Sequence, residues 1–227
     1  MYKTSKVVFS PRVRKSPYFN STIKYGVQAF SIYNHMYMPT SYEGTIEDYN
    51  NLLKGVQLWD VGVERQVQIK GPDAEALSQF LTPRNIKKCS IGQAMYAPFL
   101  DFKGGFINDP VMLKIDEDCY WFSLADGDAL LWTQGIAAGY KFDVDIHEPD
   151  VSPLQVQGPN SKELMVKVFG NWVNDLGFYR FKEVNHEGIP MVIARMGYSR
   201  ELCYEIFLQD QSKGDELWEI LWQAGKD

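Results

Sequence analysis

VQIKGPDAEAL, residues 67–77, is the stretch on which the fold turns. Val67 and Ile69 alternate with Gln68 and Lys70, the period of a half-buried strand. Gly71-Pro72 breaks that alternation. Asp73 follows as a candidate helix N-cap, and Glu75 lies in the first turn, where the helix dipole favours an acid. The same grammar recurs at 154–164, LQVQGPNSKEL, with Gly158-Pro159 at the break, Asn160 as the cap and Glu163 in the first turn. Written once, a strand–turn–helix unit says little. Written twice with matching cap chemistry, it predicts two related α+β lobes.

Outward from these units the chain alternates short strands with a few helices. Thr45-Ile46-Glu47-Asp48 opens a helix with a capping-box pattern, and Gly55 ends it. Strands are expected at 95–100, 111–115, 120–124, 142–146, 191–194 and 204–208, and a helix over 126–139 carrying Leu130, Leu131 and Trp132. The connections 103–105 and 187–188 are short enough for hairpins, so mainly antiparallel sheets with flanking helices are expected. The division expected is 1–55 with 150–227 as one discontinuous lobe and 56–149 as the other.

Composition narrows the function. The 227 residues are 45% hydrophobic and 23% charged, ordinary for a globular protein, with a rich 14% of aromatics. A net charge of −6 argues against nucleic acid as a partner; Arg12, Arg14 and Lys15 read as a solvated arm. Three cysteines, Cys89, Cys119 and Cys203, have no paired spacing, which suits a reducing compartment. No secretory signal and no membrane-spanning run is visible, so a cytoplasmic protein is expected. The P-loop, GxGxxG, GxSxG and HExxH patterns are absent, and His35, His147 and His186 lie far apart, so no metal is expected. The last stretch, SKGDELWEILWQAGKD (212–227), sets Leu217, Trp218, Leu221 and Trp222 on one helix face. An uncovered face with two tryptophans is costly, so a partner for it is expected in a longer chain.

Six segments then carry a resemblance: IYNHMYMP (32–39), LWDVGVERQVQIKGP (58–72), GQAMYAP (92–98), GGFINDPV (104–111), LQVQGP (154–159) and ARMGYSRELCYEI (194–206). In this order and spacing they resemble the aminomethyltransferase, or T-protein, family of tetrahydrofolate enzymes, and within it the branch that demethylates dimethylsulfoniopropionate. The resemblance covers essentially the whole chain. It implies the folate-binding T-protein fold: two α+β lobes around a folate channel, and a third, β-rich C-terminal lobe that is missing from this sequence. It also implies tetrahydrofolate as methyl acceptor and a small-molecule donor as partner, with a homodimer left open.

The resemblance implies roles for particular residues. Glu205 grips the pterin edge, whose amino group and ring N–H one carboxylate accepts together; on residues alone it reads rather as a half-buried strand glutamate facing solvent. Tyr96 lies beside the folate, or is a core tyrosine. Asp109 is the second acid of the family's acid pair and orients a group near folate N5, or caps the turn before Pro110. Asn108 stands where the glycine-cleavage enzyme has a carboxylate. Tyr33, Ser123, Tyr179, Tyr198 and Phe207 match the demethylase pocket, where rings attract a sulfonium lacking N–H donors; each ring also reads as core packing.

The reaction implied is methyl transfer from sulfur to folate N5, in which the protein aligns the reactants and excludes water. An amide at 108 suits a cationic donor, because a carboxylate there holds the substrate more tightly than the transition state. The alternatives are another folate-dependent demethylase, an aminomethyltransferase, and a non-catalytic folate-binding protein of the same fold.

Overall fold

A computed structural model describes residues 9–226. In chain order the elements are α1 (Phe19–Lys24), β1 (Ala29–Tyr33), β2 (Met36–Ser41), α2 (Thr45–Lys54), β3 (Gln57–Asp60), β4 (Gln66–Lys70), α3 (Ala74–Leu81), β5 (Gln93–Tyr96), β6 (Phe99–Leu100), β7 (Phe106–Asn108), β8 (Val111–Asp116) and β9 (Cys119–Ser123). They continue with α4 (Ala129–Tyr140), β10 (Asp145–His147), β11 (Ser152–Gln157), α5 (Ser161–Phe169), β12 (Phe181–His186), β13 (Ile189–Ala194), β14 (Cys203–Leu208) and α6 (Gly214–Ala224).

The expected α+β fold with antiparallel sheets is present, and the repeat organises it. Two five-stranded sheets have the orders β10-β4-β9-β8-β5 and β3-β11-β14-β13-β12, antiparallel throughout. The repeated units, β4–α3 and β11–α5, hold equivalent places in the two sheets. At each break the glycine adopts a positive φ, +137° at Gly71 and +119° at Gly158. A Cβ there would meet the Asp143 carbonyl oxygen at 2.9 Å or that of Gly55 at 2.4 Å. Those same carbonyls accept from the amides of Asp73 and Asn160. The bare glycine therefore lets the chain entering the edge strand lie against the turn, identically in both copies.

Several local expectations are corrected. Neither Asp73 nor Asn160 caps its helix through the side chain; the Asp73 carboxylate accepts from the Asp143 amide instead, at 2.8 Å. Thr45 is inside α2 rather than its cap, and Asp48 reaches back to the Tyr42 and Glu43 amides at 2.9 and 3.1 Å. The strand expected at 95–100 splits at Ala97-Pro98, because proline has no ladder donor. Of 142–146 only the end joins a sheet, as β10. β3 pairs with β11, so Gln57–Asp60 lies in the same sheet as residues 152–208, not with β4.

The sheets stack face to face with helices outside. Tyr204, Ile206 and Leu208 of β14 pack with Leu164 and Met165 of α5 and Leu217, Trp218 and Leu221 of α6. Val67 and Ile69 of β4 and Phe122 of β9 pack with Leu77 of α3 and Ile136 of α4. Between the sheets lie Leu113, Cys119 and Trp121 from one and Val192, Ala194 and Phe207 from the other. One edge is stitched by backbone bonds, Ala94 N–H to Tyr179 O and Phe181 N–H to Gly92 O, both near 3 Å.

The apolar face of α6 is covered within the chain, against expectation. Trp218 and Leu221 are buried, and Trp222 packs on Tyr25 with ring centroids 3.9 Å apart. The basic arm is exposed as expected, with Arg14 paired to Glu148 at 3.0 Å and Lys15 over the Phe19 ring. Residues 1–8, part of the segment read for a secretory signal, lie outside the described residues. Among the described residues no helix is long and apolar enough to cross a membrane.

Candidate functional site

The layer between the sheets is dry around Phe207 and polar at its other end. Strand alternation sends Cys203, Glu205 and Phe207 of β14 to this layer, opposite to Tyr204 and Ile206. Gln155, the cross-strand partner of Glu205, lies on the same face beside it and is itself buried. On the facing sheet Gln66 alternates with the core residues Val67 and Ile69, and its amide donates to the Ser123 hydroxyl at 2.9 Å. Gln66 Oε1, Gln157 Oε1 and Glu205 Oε1 are all buried without a donor. Orphaned buried acceptors are costly; Gln157 and Glu205 lie on one face of one sheet and Gln66 on the facing sheet.

Glu205 opens a ring of neighbours. It is 2% exposed, and the charge of Glu64, on the loop between β3 and β4, acts on it. Burial and the Glu64 charge push the Glu205 carboxyl well above the usual range; burial pushes Glu64 up as well. The charges of Glu64 and Asp126 act on the half-buried Tyr33 phenol at the end of β1. Tyr33 neighbours Asp109, which accepts a short hydrogen bond from the Tyr96 hydroxyl. The Tyr179 phenol feels the Glu205 charge, the Tyr96 phenol feels Tyr179, and the Arg84 charge acts on both tyrosines. Burial lifts the Tyr33 and Tyr179 phenols, and the Asp109 bond lifts that of Tyr96.

Two asparagines hold the loop behind this ring. Asn34 and His35 both have positive φ, +48° and +62°, the tight two-residue turn joining β1 to β2. From it the Asn34 amide donates to Val63 O at 3.0 Å and Ala125 O at 3.1 Å, and its oxygen accepts from the Gly127 amide at 2.8 Å. Asn108 meets the same loop from β7: Nδ2 donates to Ala125 O at 2.9 Å, and Oδ1 accepts from Ala125 N–H at 3.0 Å.

Residues 18–227 match the model of the GCVT N-terminal domain. The chain belongs to the GCVT N-terminal domain family. It is 44% identical to the dimethylsulfoniopropionate demethylase DmdA of Ruegeria pomeroyi over 96% of this chain and 60% of that protein. It is 27% identical to an aminomethyltransferase of Halothermothrix orenii, over 95% of this chain and again 60% of the relative. The chain thus spans about 60% of the length of these curated relatives. The crystal structure of the glycine cleavage system aminomethyltransferase T from Bartonella henselae superposes with a TM-score of 0.81 at 22% identity, over 92% of this chain and 57% of that one.

Within this GCVT domain the residues expected at a site separate into two groups. Tyr96 and Asp109 are hydrogen-bonded, and Glu205, Tyr33 and Tyr179 are linked to them through their charges. Asn108 is buried, and both its polar atoms are engaged by Ala125. Ser123 is buried at the end of β9, facing Gln66. Phe207 is fully buried in the dry part of the layer, so its ring lines no open pocket, and Tyr198 is 87% exposed on the loop before β14. Sequence reasoning missed Glu64, Gln155 and Asn34. The first stands in the quoted segment LWDVGVERQ and the last in IYNHM, but only strand pairing and loop closure show what they touch. Among the described residues no group of three or more His, Cys, Asp or Glu is placed to hold a metal ion.

Proposed function

We propose that the protein transfers a methyl group from a sulfonium donor, dimethylsulfoniopropionate, to tetrahydrofolate, giving 5-methyltetrahydrofolate. The observation that carries this reading is Glu205: a buried carboxyl with an oxygen lacking a donor. A pterin edge supplies an amino group and a ring N–H side by side, which fits an acceptor-rich, donor-poor pocket. Tyr33, Tyr96 and Tyr179 with Glu64, Asp109 and Asp126 make a surface suited to a cation. The 44% identity to the demethylase favours the sulfonium donor.

In the reaction the methyl carbon leaves sulfur, which keeps the bonding pair, and joins N5, whose proton must depart. Asp109, exposed and bonded to Tyr96, is the carboxylate we assign to that proton. We assign Tyr33 and Tyr179 to the donor and Glu205 and Tyr96 to the folate. Sheet membership supports a lobe boundary after Asp60 rather than at residue 55.

A second reading, aminomethyl transfer, gains from the Asn108 geometry. Because that amide is tied to Ala125, it no longer speaks against the aminomethyltransferase relatives. Turnover assays offering each donor to the same full-length protein separate the two. For the folate site, Glu205→Ala should weaken binding of 5-methyltetrahydrofolate by roughly 1.5–3 kcal/mol, the worth of a charge-assisted bond. Calorimetry showing unchanged affinity in a folded variant removes Glu205 from the site.

A further inference from the structure

We propose that Asn34 is a positioning residue for the methyl donor: a buried amide at a hairpin turn that binds the chain on both sides of Glu64 and of Asp126 and fixes these two acids relative to Tyr33. The functional half of the proposal rests on the methyl-transfer reading above. Asn34 is 2% exposed and directly follows Tyr33. Every polar group it owns is used. Its backbone N–H donates to Asp126 Oδ1 at 2.8 Å, and its carbonyl accepts a longer bond, 3.5 Å, from Arg65 Nη1. Its side-chain nitrogen donates to Val63 O at 3.0 Å and Ala125 O at 3.1 Å, and Oδ1 accepts from the Gly127 amide at 2.8 Å. The partners fall in two short runs, 63–65 and 125–127, the first centred on Glu64 and the second on Asp126.

The place is chemically demanding. The turn sets φ at +48° on Asn34, a conformation that asparagine and glycine tolerate best. The carbonyls of Val63 and Ala125 call for donors and the Gly127 amide for an acceptor, so one group must offer both. An amide does this; a carboxylate offers no donor, and glycine offers neither. Other bonds close the two loops on each other or on their own strands: Leu124 N–H donates to Arg65 O at 3.0 Å, and the Gln66 amide donates to Glu64 O at 2.7 Å. Asn34 adds the strand that carries Tyr33. A sulfonium held by Tyr33 and these acids must present one methyl to N5 in line with the sulfur, so a shift of the three side chains misaligns the reacting carbon. Glu205 and Tyr96, assigned to the folate, stand on β14 and β5 and take no bond from Asn34. The consequence of losing the amide is therefore one-sided.

The test uses the protein at its full natural length. Asn34→Gly removes the side chain without straining the turn. His35→Gly, at the exposed neighbouring position with φ of +62°, is the control and costs only a surface contact with Asp128. Amide exchange read by mass spectrometry should quicken over 61–66 and 124–128 in Asn34→Gly and keep the wild-type rate there in His35→Gly. With dimethylsulfoniopropionate and tetrahydrofolate, Asn34→Gly should lower kcat/KM for the donor by about tenfold or more, while the Kd of 5-methyltetrahydrofolate in calorimetry moves by less than about threefold. Asn34→Asp, which keeps only the acceptor, should fall with it; wild-type turnover there would overturn the role of the donated bonds. Unchanged exchange in both segments of Asn34→Gly overturns the link between the loops. Quickened exchange with an unchanged kcat/KM, or equal losses for donor and folate, overturns the positioning role. An equal loss in His35→Gly assigns the effect to the turn and overturns the role of the amide. A wild type that binds 5-methyltetrahydrofolate but demethylates no sulfonium refutes the donor reading and the functional half with it, while the exchange rates still decide whether Asn34 holds the loops.

Discussion

At the scale of single residues, Asn108 changes meaning once its partners are known. An amide can donate to Ala125 O while accepting from Ala125 N–H; a carboxylate can only accept. Asn108→Asp should therefore set an anion against a carbonyl in a buried place and cost about 1–3 kcal/mol at pH 8. Burial raises the introduced acid, so the loss is present above its folded pKa and disappears as falling pH restores a proton donor. Thermal melts at pH 8 and pH 5 check this; equal losses at both would show that the donor is immaterial. Asp60 offers the converse case. Burial pushes it up to about 6, against the pull of Ser16 and Gly62. A carboxyl raised in the folded state adds stability below its unfolded value of 3.8 that is lost as pH climbs through about 6. Asp60→Asn keeps an acceptor for Gly62, and the Ser16 hydroxyl can reverse, so the variant should melt higher than wild type at pH 8. Their melting curves should converge towards pH 4; a lower melting temperature at pH 8 would contradict the assignment.

Among elements, the repeated strand–glycine–helix unit explains why two sheets have one topology. Its glycine is fixed by a backbone crossing, not by the helix cap that the sequence pattern suggested. Gly158 lies closer to its crossing carbonyl than Gly71 does, 2.4 against 2.9 Å for an added Cβ. Both obstacles are backbone, which cannot swing aside as a side chain would, and both φ values are positive. Gly158→Ala should therefore destabilise by more than about 3 kcal/mol and Gly71→Ala by less, in denaturant titrations of the two variants. An inverted order would mean that the two crossings yield differently. Alternation along β14 then does the functional sorting: one face builds the helix-covered core, and the other carries Glu205 to the site and Phe207 to the dry layer.

For the whole molecule, that inter-sheet layer decides whether the lobes are independent. Phe207, Val192 and Ala194 pack on Leu113 and Trp121, and the edges are joined through Ala94 and Tyr179. The chain should unfold in one transition, with near-ultraviolet and far-ultraviolet dichroism coincident. Phe207→Ala should cost about 3–5 kcal/mol while leaving local strand pairing intact. Two separated transitions in the wild type would show that the layer does not couple the sheets.

The sequence by itself determined the two-lobe α+β plan, most elements and the family, because strand period, glycine breaks and ordered motifs are local signals. It also brought Glu205, Tyr96, Asp109, Tyr33 and Tyr179 into view through motif position. What each touches was decided only by tertiary structure. Asn108 was legible as an unusual letter, but its two bonds to Ala125 depend on a loop seventeen residues away. The face of α6 read as uncovered because its cover, Tyr25 and α1, lies near the other end of the described chain. Glu64 was one acid among many until folding set its charge where it helps push the Glu205 carboxyl up. Local periodicity records which way a side chain points. The field a carboxyl feels is set by neighbours distant in sequence, and these exist only once the sheets have closed.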